Sequence, residues 1–168
     1  MADPVVEVVT NHGTFVIALD SQRAPKSVEN FLAYVDAKHY DGTIFHRVIS
    51  NFMIQGGGYD QNLEKRPTRA AIQNEADNGL KNSRGTVAMA RTNDPHSATA
   101  QFFVNVTDNA FLDHQGKDAQ GWGYAVFGRV TEGMDVVDKI KAVKTGAMGP
   151  FSKDAPEDLV IIKSVRRR

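Results

Sequence analysis

Hydrophobic positions recur along the chain with two different periods. Val5 to Val9 and Gly13 to Leu19 are β-rich runs joined by Asn11-His12-Gly13, whose Asn and Gly tolerate the positive φ of a tight turn. They predict a hairpin. In APKSVENFLAYVDAKHY the period changes: Val28, Phe31, Leu32 and Val35 recur at i, i+3, i+4 and i+7, and Pro25 suits a first helical position. An amphipathic helix lying on an apolar surface is predicted there. Short β-type runs follow at Thr43 to Ile49, Phe52 to Gln55, Ala71 to Asn74, Gly85 to Ala90, Gln101 to Val106 and Tyr124 to Val130, separated by Gly, Asn, Asp and Pro. Residues 133 to 143 predict a second helix with Val136, Ile140 and Val143 on one face, and Leu159 to Val165 a closing strand. Many short strands, two helices and no regular βαβ alternation favour an antiparallel barrel or sandwich.

Composition narrows the partners more than the fold. A chain of 168 residues, 41% of them apolar, is expected to form one domain over 1–168 with a single sizeable core. Twenty basic residues balance twenty acidic ones, so no net field draws the protein to nucleic acid or to a membrane, and a local site must select its partners. Cysteine is absent, which excludes disulfides and thiolate chemistry and suits a reducing compartment. The start MADPVVEVVTNHG lacks the basic and apolar regions of a leader, and no segment approaches the roughly 20 apolar residues of a membrane span, so a cytoplasmic protein is expected. The terminal Arg166-Arg167-Arg168 reads as a solvated, disordered end. Asn105-Val106-Thr107 matches a glycosylation sequon, a chance match in such a compartment.

The chemistry sits in FHRVISNFMIQGGG, residues 45–58. If this is a strand, Phe45, Arg47 and Ile49 share one face, with His46 and Val48 on the other. Taken alone, Arg47 reads as the polar residue of an exposed strand face. However, Met53 and Gln55 also share a face, and Gln101 with Phe103 repeats the pairing of an amide with a large apolar side chain. The glycines Gly56 to Gly58 lack the spacing of a phosphate loop and read as a turn or bulge. Five scattered histidines show no metal-ligand spacing, and no G-x-S-x-G supplies a nucleophile.

Taken together, FHRVISNFMIQGG, GTVAMAR, QFFVNV, FLD and YAVFGRV resemble the cyclophilins, the cyclosporin-binding family of peptidyl-prolyl cis-trans isomerases. The likeness runs in order from about Val5 to Val165. It implies a mainly β fold, a closed eight-stranded antiparallel β-barrel capped by two α-helices, and the insertion-like DHQGKDAQGWG resembles the bacterial cytoplasmic branch. It also implies that Arg47 is catalytic and that Phe52, Met53, Phe103 and Leu112 line a pocket for the substrate proline. Gln55 would hydrogen-bond the substrate backbone, Ala90 and Arg91 would pair with its chain, and Gln101, Phe111 and Tyr124 would border the pocket. The implied partners are proline-containing peptides and folding proteins, bound by a monomer without cofactor or metal.

Two positions depart from the familiar eukaryotic pattern. Phe111 stands where relatives often have tryptophan, and Tyr124 where they have histidine, so weak cyclosporin binding is expected. Arg91 stands where asparagine is common. A proline-peptide binding module or holdase chaperone using the same pocket without significant turnover is the alternative. Retention of Arg47 separates the two, because a pure binder gains little from a donor aimed at a twisted amide nitrogen.

Overall fold

The computed structural model describes residues 3–168; Met1 and Ala2, where the segment read for a leader begins, lie outside them. Ten strands and two α-helices follow in the order β1 Val5–Thr10, β2 Gly13–Leu19, α1 Pro25–Asp36, β3 Arg47–Ile49, β4 Met53–Gly56, β5 Thr86–Met89, β6 Phe102–Asn105, β7 Val126–Glu132, α2 Met134–Lys141, β8 Thr145–Met148, β9 Phe151–Pro156 and β10 Ile162–Arg167. Eight of the strands form one antiparallel sheet in the order β10-β1-β2-β7-β5-β6-β4-β3, while β8 and β9 make a separate hairpin. Register shifts at Val9/Thr10, Val16/Ile17 and Val87/Ala88 are bulges, which add local twist and help the sheet curl. The two ends of the order, β10 and β3, are not paired as strands. The segments leading into them do meet, since Phe45 N–H donates to Val160 C=O at 3.0 Å and Ile162 N–H to Thr43 C=O at 2.7 Å.

The curl encloses the main core. Val28, Phe31, Leu32 and Val35, the predicted stripe of α1, are all buried, and Phe31 meets Phe102 edge-on at 5.5 Å and Phe127 at 5.2 Å. The first turn of α1 has no side-chain cap of its own. The Glu75 carboxylate takes that place from 48 residues away, accepting from Ser27 N–H at 2.6 Å and from Ser27 Oγ at 2.9 Å. A carboxylate on orphan amides at the positive end of a helix dipole is favourable on both counts. On α2, Val136 and Ile140 are buried as predicted, but the helix ends at Lys141 and Val143 is only partly buried.

Four sequence-based expectations need correction. Ala71 to Asn74 is not a strand: only Ile72 makes a bridge, to Ala98. The β8–β9 hairpin falls where no strand is predicted, because TGAMGPFSKDAP is rich in Gly, Pro and charge and has no apolar alternation. Phe45 does not share a face with Arg47. It precedes β3 and lies in the main core with Val48, so the alternation begins only at Arg47. Finally, the basic terminus is strand rather than loose tail, with Arg167 opposite Val6 and Arg166 opposite Glu7. Arg167 makes a two-pronged pair with Asp36 at 2.9 and 2.7 Å, and Arg168 reaches Glu7 and Glu132. Exposed pairs of this kind contribute little each, and the strand pairing is what holds the end. Asn105 of the sequon is fully buried and cannot present its amide to a transferase. Among the described residues no helix is long and apolar enough to cross a membrane.

Candidate active site

Strand alternation sorts the middle of the sheet into two apolar populations. Val48, Ile54, Val87, Met89, Phe102 and Val104 point into the main core. Their neighbours Met53, Ala88, Ala90 and Phe103 point the other way, where with Leu112 and Val126 they form a second buried cluster. The register aligns this outer face. Arg47 lies opposite Gln55, Gln55 opposite Phe103, Phe103 opposite Ala88 and Ala88 opposite Val126, so one row crosses five strands from a guanidinium through an amide to an apolar floor. Ile49 and Met53 pair in the next row.

The row forms one wall of a cavity of about 100 Å³ lined by Arg47, Phe52, Met53, Gln55, Ala90, Arg91, Phe103, Leu112 and Tyr124. This is well below the roughly 300–1,000 Å³ of pockets for drug-sized ligands, so the space admits one small group. The two remaining residues of the predicted set stand at its edge. Gln101 Oε1 accepts from Gln55 Nε2 at 3.0 Å, and Phe111, 68% exposed, lies against Phe52 with ring centroids 5.6 Å apart. A larger cavity of about 280 Å³ lies against Ala18, Asp20, Lys81 and Arg129, and includes none of the predicted residues. The smaller one is the better site, because there an apolar floor and convergent polar groups meet.

Arg47 is exposed, and among the described residues its one side-chain hydrogen bond is a long one, Nη1 to Gln55 Oε1 at 3.5 Å. Most of its donors are therefore unclaimed. Gln55 is better fixed, being held between Arg47 and Gln101. Gly58 makes room for Gln101: a Cβ there would collide with the Gln101 amide. Gly57, with φ of +90°, takes the turn that leads the chain out of β4. The predicted turn is present, and the run of glycines reflects crowding as much as turning.

A buried asparagine network holds the opposite wall, and nothing in the sequence singled it out. Asn109 Nδ2 donates to Phe52 C=O at 2.9 Å and Asn105 Oδ1 at 2.8 Å, Asn105 Nδ2 to Asn82 Oδ1 at 3.1 Å, and Asn82 Nδ2 to the carbonyls of Leu112 and Tyr124, each at 3.3 Å. Three pocket residues from three segments are tied together through their main chains. The available signal was the spacing Asn82, Asn105, Asn109 beside apolar runs, which local pattern cannot distinguish from turn residues.

His46, beside Arg47, is buried against Tyr59 at 4.7 Å and Phe151 at 5.2 Å, and its Nδ1 has no hydrogen-bond partner among the described residues. Burial, and secondarily the Arg47 charge, lowers its pKa to about 4. The unfolded chain binds this proton near pH 6.5. The stability that comes from keeping His46 neutral is thus fully present above about pH 6.5 and is lost as pH falls toward 4. Linkage over that window amounts to about 3 kcal/mol. Urea unfolding at pH 7 and pH 4 is expected to show a loss in the wild type that exceeds, by about this amount, the loss in His46→Phe, which keeps the stack without the proton. An equal pH dependence in both proteins would refute the assignment.

Comparison with known proteins gives the site its context. The family model described as cyclophilin type peptidyl-prolyl cis-trans isomerase/CLD matches residues 5–167. The chain is 64% identical to peptidyl-prolyl cis-trans isomerase cyp18 of Streptomyces antibioticus over 161 residues, which is 96% of each protein. It is 58% identical to peptidyl-prolyl cis-trans isomerase B of Escherichia coli K12, covering 93% of this chain and 94% of that one. A crystal structure of a Cryptosporidium parvum cyclophilin type peptidyl-prolyl cis-trans isomerase superposes with a TM-score of 0.78 at 25% identity, covering 99% of this chain and 98% of the other. The same C. parvum protein, solved in the presence of the dipeptide Ala-Pro, gives 0.77. A curled antiparallel sheet with two helices, a small half-apolar cavity and this degree of likeness lead to one conclusion: the chain belongs to the cyclophilin-type peptidyl-prolyl cis-trans isomerases.

Proposed function

We propose that the cavity between β3, β4 and β6 receives the proline of an X-Pro segment in a folding chain and that Arg47 accelerates rotation about its peptide bond. The observation that carries this reading is a guanidinium with most of its donors unclaimed, placed in register with an amide and an aromatic floor. Amide resonance opposes rotation by about 18–20 kcal/mol, while the two X-Pro isomers differ by only about 0.5–1 kcal/mol. The task is therefore kinetic, and turnover near a thousand per second requires the barrier to fall by about 7 kcal/mol. No bond is made or broken.

As the bond twists, the prolyl nitrogen regains a lone pair and becomes an acceptor, which it is not in the planar amide. A donor that reaches this nitrogen gains most at that geometry, so Arg47, with most of its N–H groups unclaimed, binds the twisted state more tightly than either isomer. Phe52, Met53, Phe103 and Leu112 hold the ring, and Gln55, steadied by Gln101, accepts or donates to the substrate backbone. Ala90 and Arg91 lie along the chain, while Phe111 and Tyr124 edge the opening. We read residues 1–168 as one domain, in keeping with a family match over 5–167, and the eight-stranded sheet as a closed barrel, supported by the hydrogen bonds between Phe45 and Val160 and between Ile162 and Thr43. The absence of cysteine fits a cytoplasmic location.

Exchange NMR on an Ala-Pro peptide tests the reading. A small molar fraction of protein is expected to give cis–trans exchange cross-peaks that the free peptide lacks. A peptide that binds with no gain in exchange would instead make the protein a binder. The Gln101 support is testable separately. Gly58→Ala is expected to displace Gln101, release Gln55 and lower kcat/KM by about 3- to 10-fold in a folded protein. Unchanged kcat/KM with a displaced Gln101 side-chain amide resonance would remove Gln101 from the mechanism.

A further inference from the structure

Two cations face the cavity and no carboxylate does: Arg47 and Arg91 are the charged residues among its lining. Neither forms an ion pair among the described residues, although Arg84, Arg167 and Arg168 all do. Arg91 is nonetheless held firmly. Its Nε and Nη2 donate to the Gly123 carbonyl at 3.1 and 3.0 Å, its Nη1 donates to the Thr92 carbonyl at 2.9 Å, and its guanidinium stacks over Tyr124 at 4.4 Å from the ring centroid. Main-chain carbonyls and an aromatic face orient the group without cancelling its charge. Of the five N–H donors of a guanidinium, three are engaged and two remain.

Carboxylates on adjoining segments keep their charge but are held in hydrogen bonds of their own. Asp113 accepts from Asn82 N–H at 2.6 Å, Asp94 from His96 N–H at 2.9 Å, and Glu75 caps α1. In a protein with no net charge, the lining of this cavity thus carries two positive groups and no negative one. Arg91 also lines a small void beside Asn74 and Pro95, so it stands at that side of the cavity.

We infer that Arg91 selects substrates with a carboxylate side chain within two residues of the proline. The proposal rests on the isomerase reading of the site and adds the substrate class: acidic X-Pro segments. Arg47 remains with the amide being rotated, while Arg91, already aligned by Gly123, Thr92 and Tyr124, offers its two free donors to an Asp or Glu of the bound chain. A preorganised guanidinium loses little side-chain freedom on making that contact. The pair forms at a partly exposed mouth, so its effect is modest and screened by salt.

The test uses N-acetylated, C-amidated peptides, so that no terminal carboxylate interferes, with Glu or Gln placed in turn at each of the two positions before and after the proline. Isomerisation is followed by exchange NMR at low and at high salt. The expected result is that kcat/KM for the Glu peptide exceeds that for its Gln counterpart by about 2- to 10-fold at one or more positions. The ratio is expected to fall toward one at about 1 M salt, to fall to about one in Arg91→Gln and to be partly kept in Arg91→Lys. Equal rates for Glu and Gln at all four positions, or a preference that survives in Arg91→Gln, would overturn the proposal. Either outcome leaves the isomerase reading intact as long as the wild type still turns over the Gln peptides; absence of turnover on every peptide would overturn both.

Discussion

Replacing Arg47 by alanine is expected to lower kcat/KM for a short X-Pro peptide by about 100- to 1,000-fold and to leave the circular dichroism unchanged. The first part follows from the chemistry, since removing one hydrogen-bond donor aimed at a group that gains charge or a lone pair in the transition state typically costs that much. The second follows from the structure. Arg47 is exposed on the edge strand β3, makes a single long contact to Gln55 and has no ion pair among the described residues, so the fold loses little with it. Arg47→Lys should fall between wild type and alanine, because an ammonium keeps the charge without the planar fork. Full activity in the alanine protein would reject the transition-state role.

The second large effect is expected at Phe111. It sits in the short 3-10 turn Ala110–Leu112, is the one exposed large apolar residue among the described residues and stacks on Phe52 at the mouth of the cavity. An indole at this place would add an N–H donor to the apolar area that phenylalanine already offers. If cyclosporin places an acceptor against this position, as the family resemblance implies, phenylalanine would leave it unpaired at a cost of about 1–3 kcal/mol, or roughly 5- to 150-fold in affinity. Phe111→Trp is therefore expected to tighten cyclosporin inhibition by that factor. A short peptide bound in the cavity reaches less far toward the rim, so its turnover should hardly change. Titrating cyclosporin against both proteins in one isomerase assay decides the point, and equal inhibition constants would show that Phe111 is not the determinant.

What could be read from the sequence was whatever depends on residues close together in the chain. The stripe Val28, Phe31, Leu32, Val35 lies on one helical face by spacing alone, and β2 runs from Gly13 to Leu19 as its composition suggests. The pairing of Met53 with Gln55 on one face was legible for the same reason. Convergence was not. That Arg47, Gln55 and Phe103 stand in one cross-strand row depends on registers set by bulges and by core packing on the opposite face, and only the family resemblance pointed to the set as a whole. The placing of Phe45 failed because a strand begins where its partner begins, and β4 reaches back only to Arg47. The β8–β9 hairpin was hidden because Phe151 is anchored by Tyr59 and His46 rather than by alternation of its own. The asparagines behind the cavity wall look like turn residues until burial reveals them as bridges between main-chain carbonyls.

Arg47 is expected to act on the twisted amide and not on the bound ground states. This is tested most directly by measuring, for the wild type and Arg47→Ala, both the affinity for an Ala-Pro peptide and the cis–trans exchange rate of that peptide at full occupancy. The two affinities are expected to lie within about threefold of one another, and bound-state exchange to be at least about 100-fold slower in the variant. A bound-state rate that is unchanged, or a loss of catalysis matched by an equal loss of binding, would contradict it.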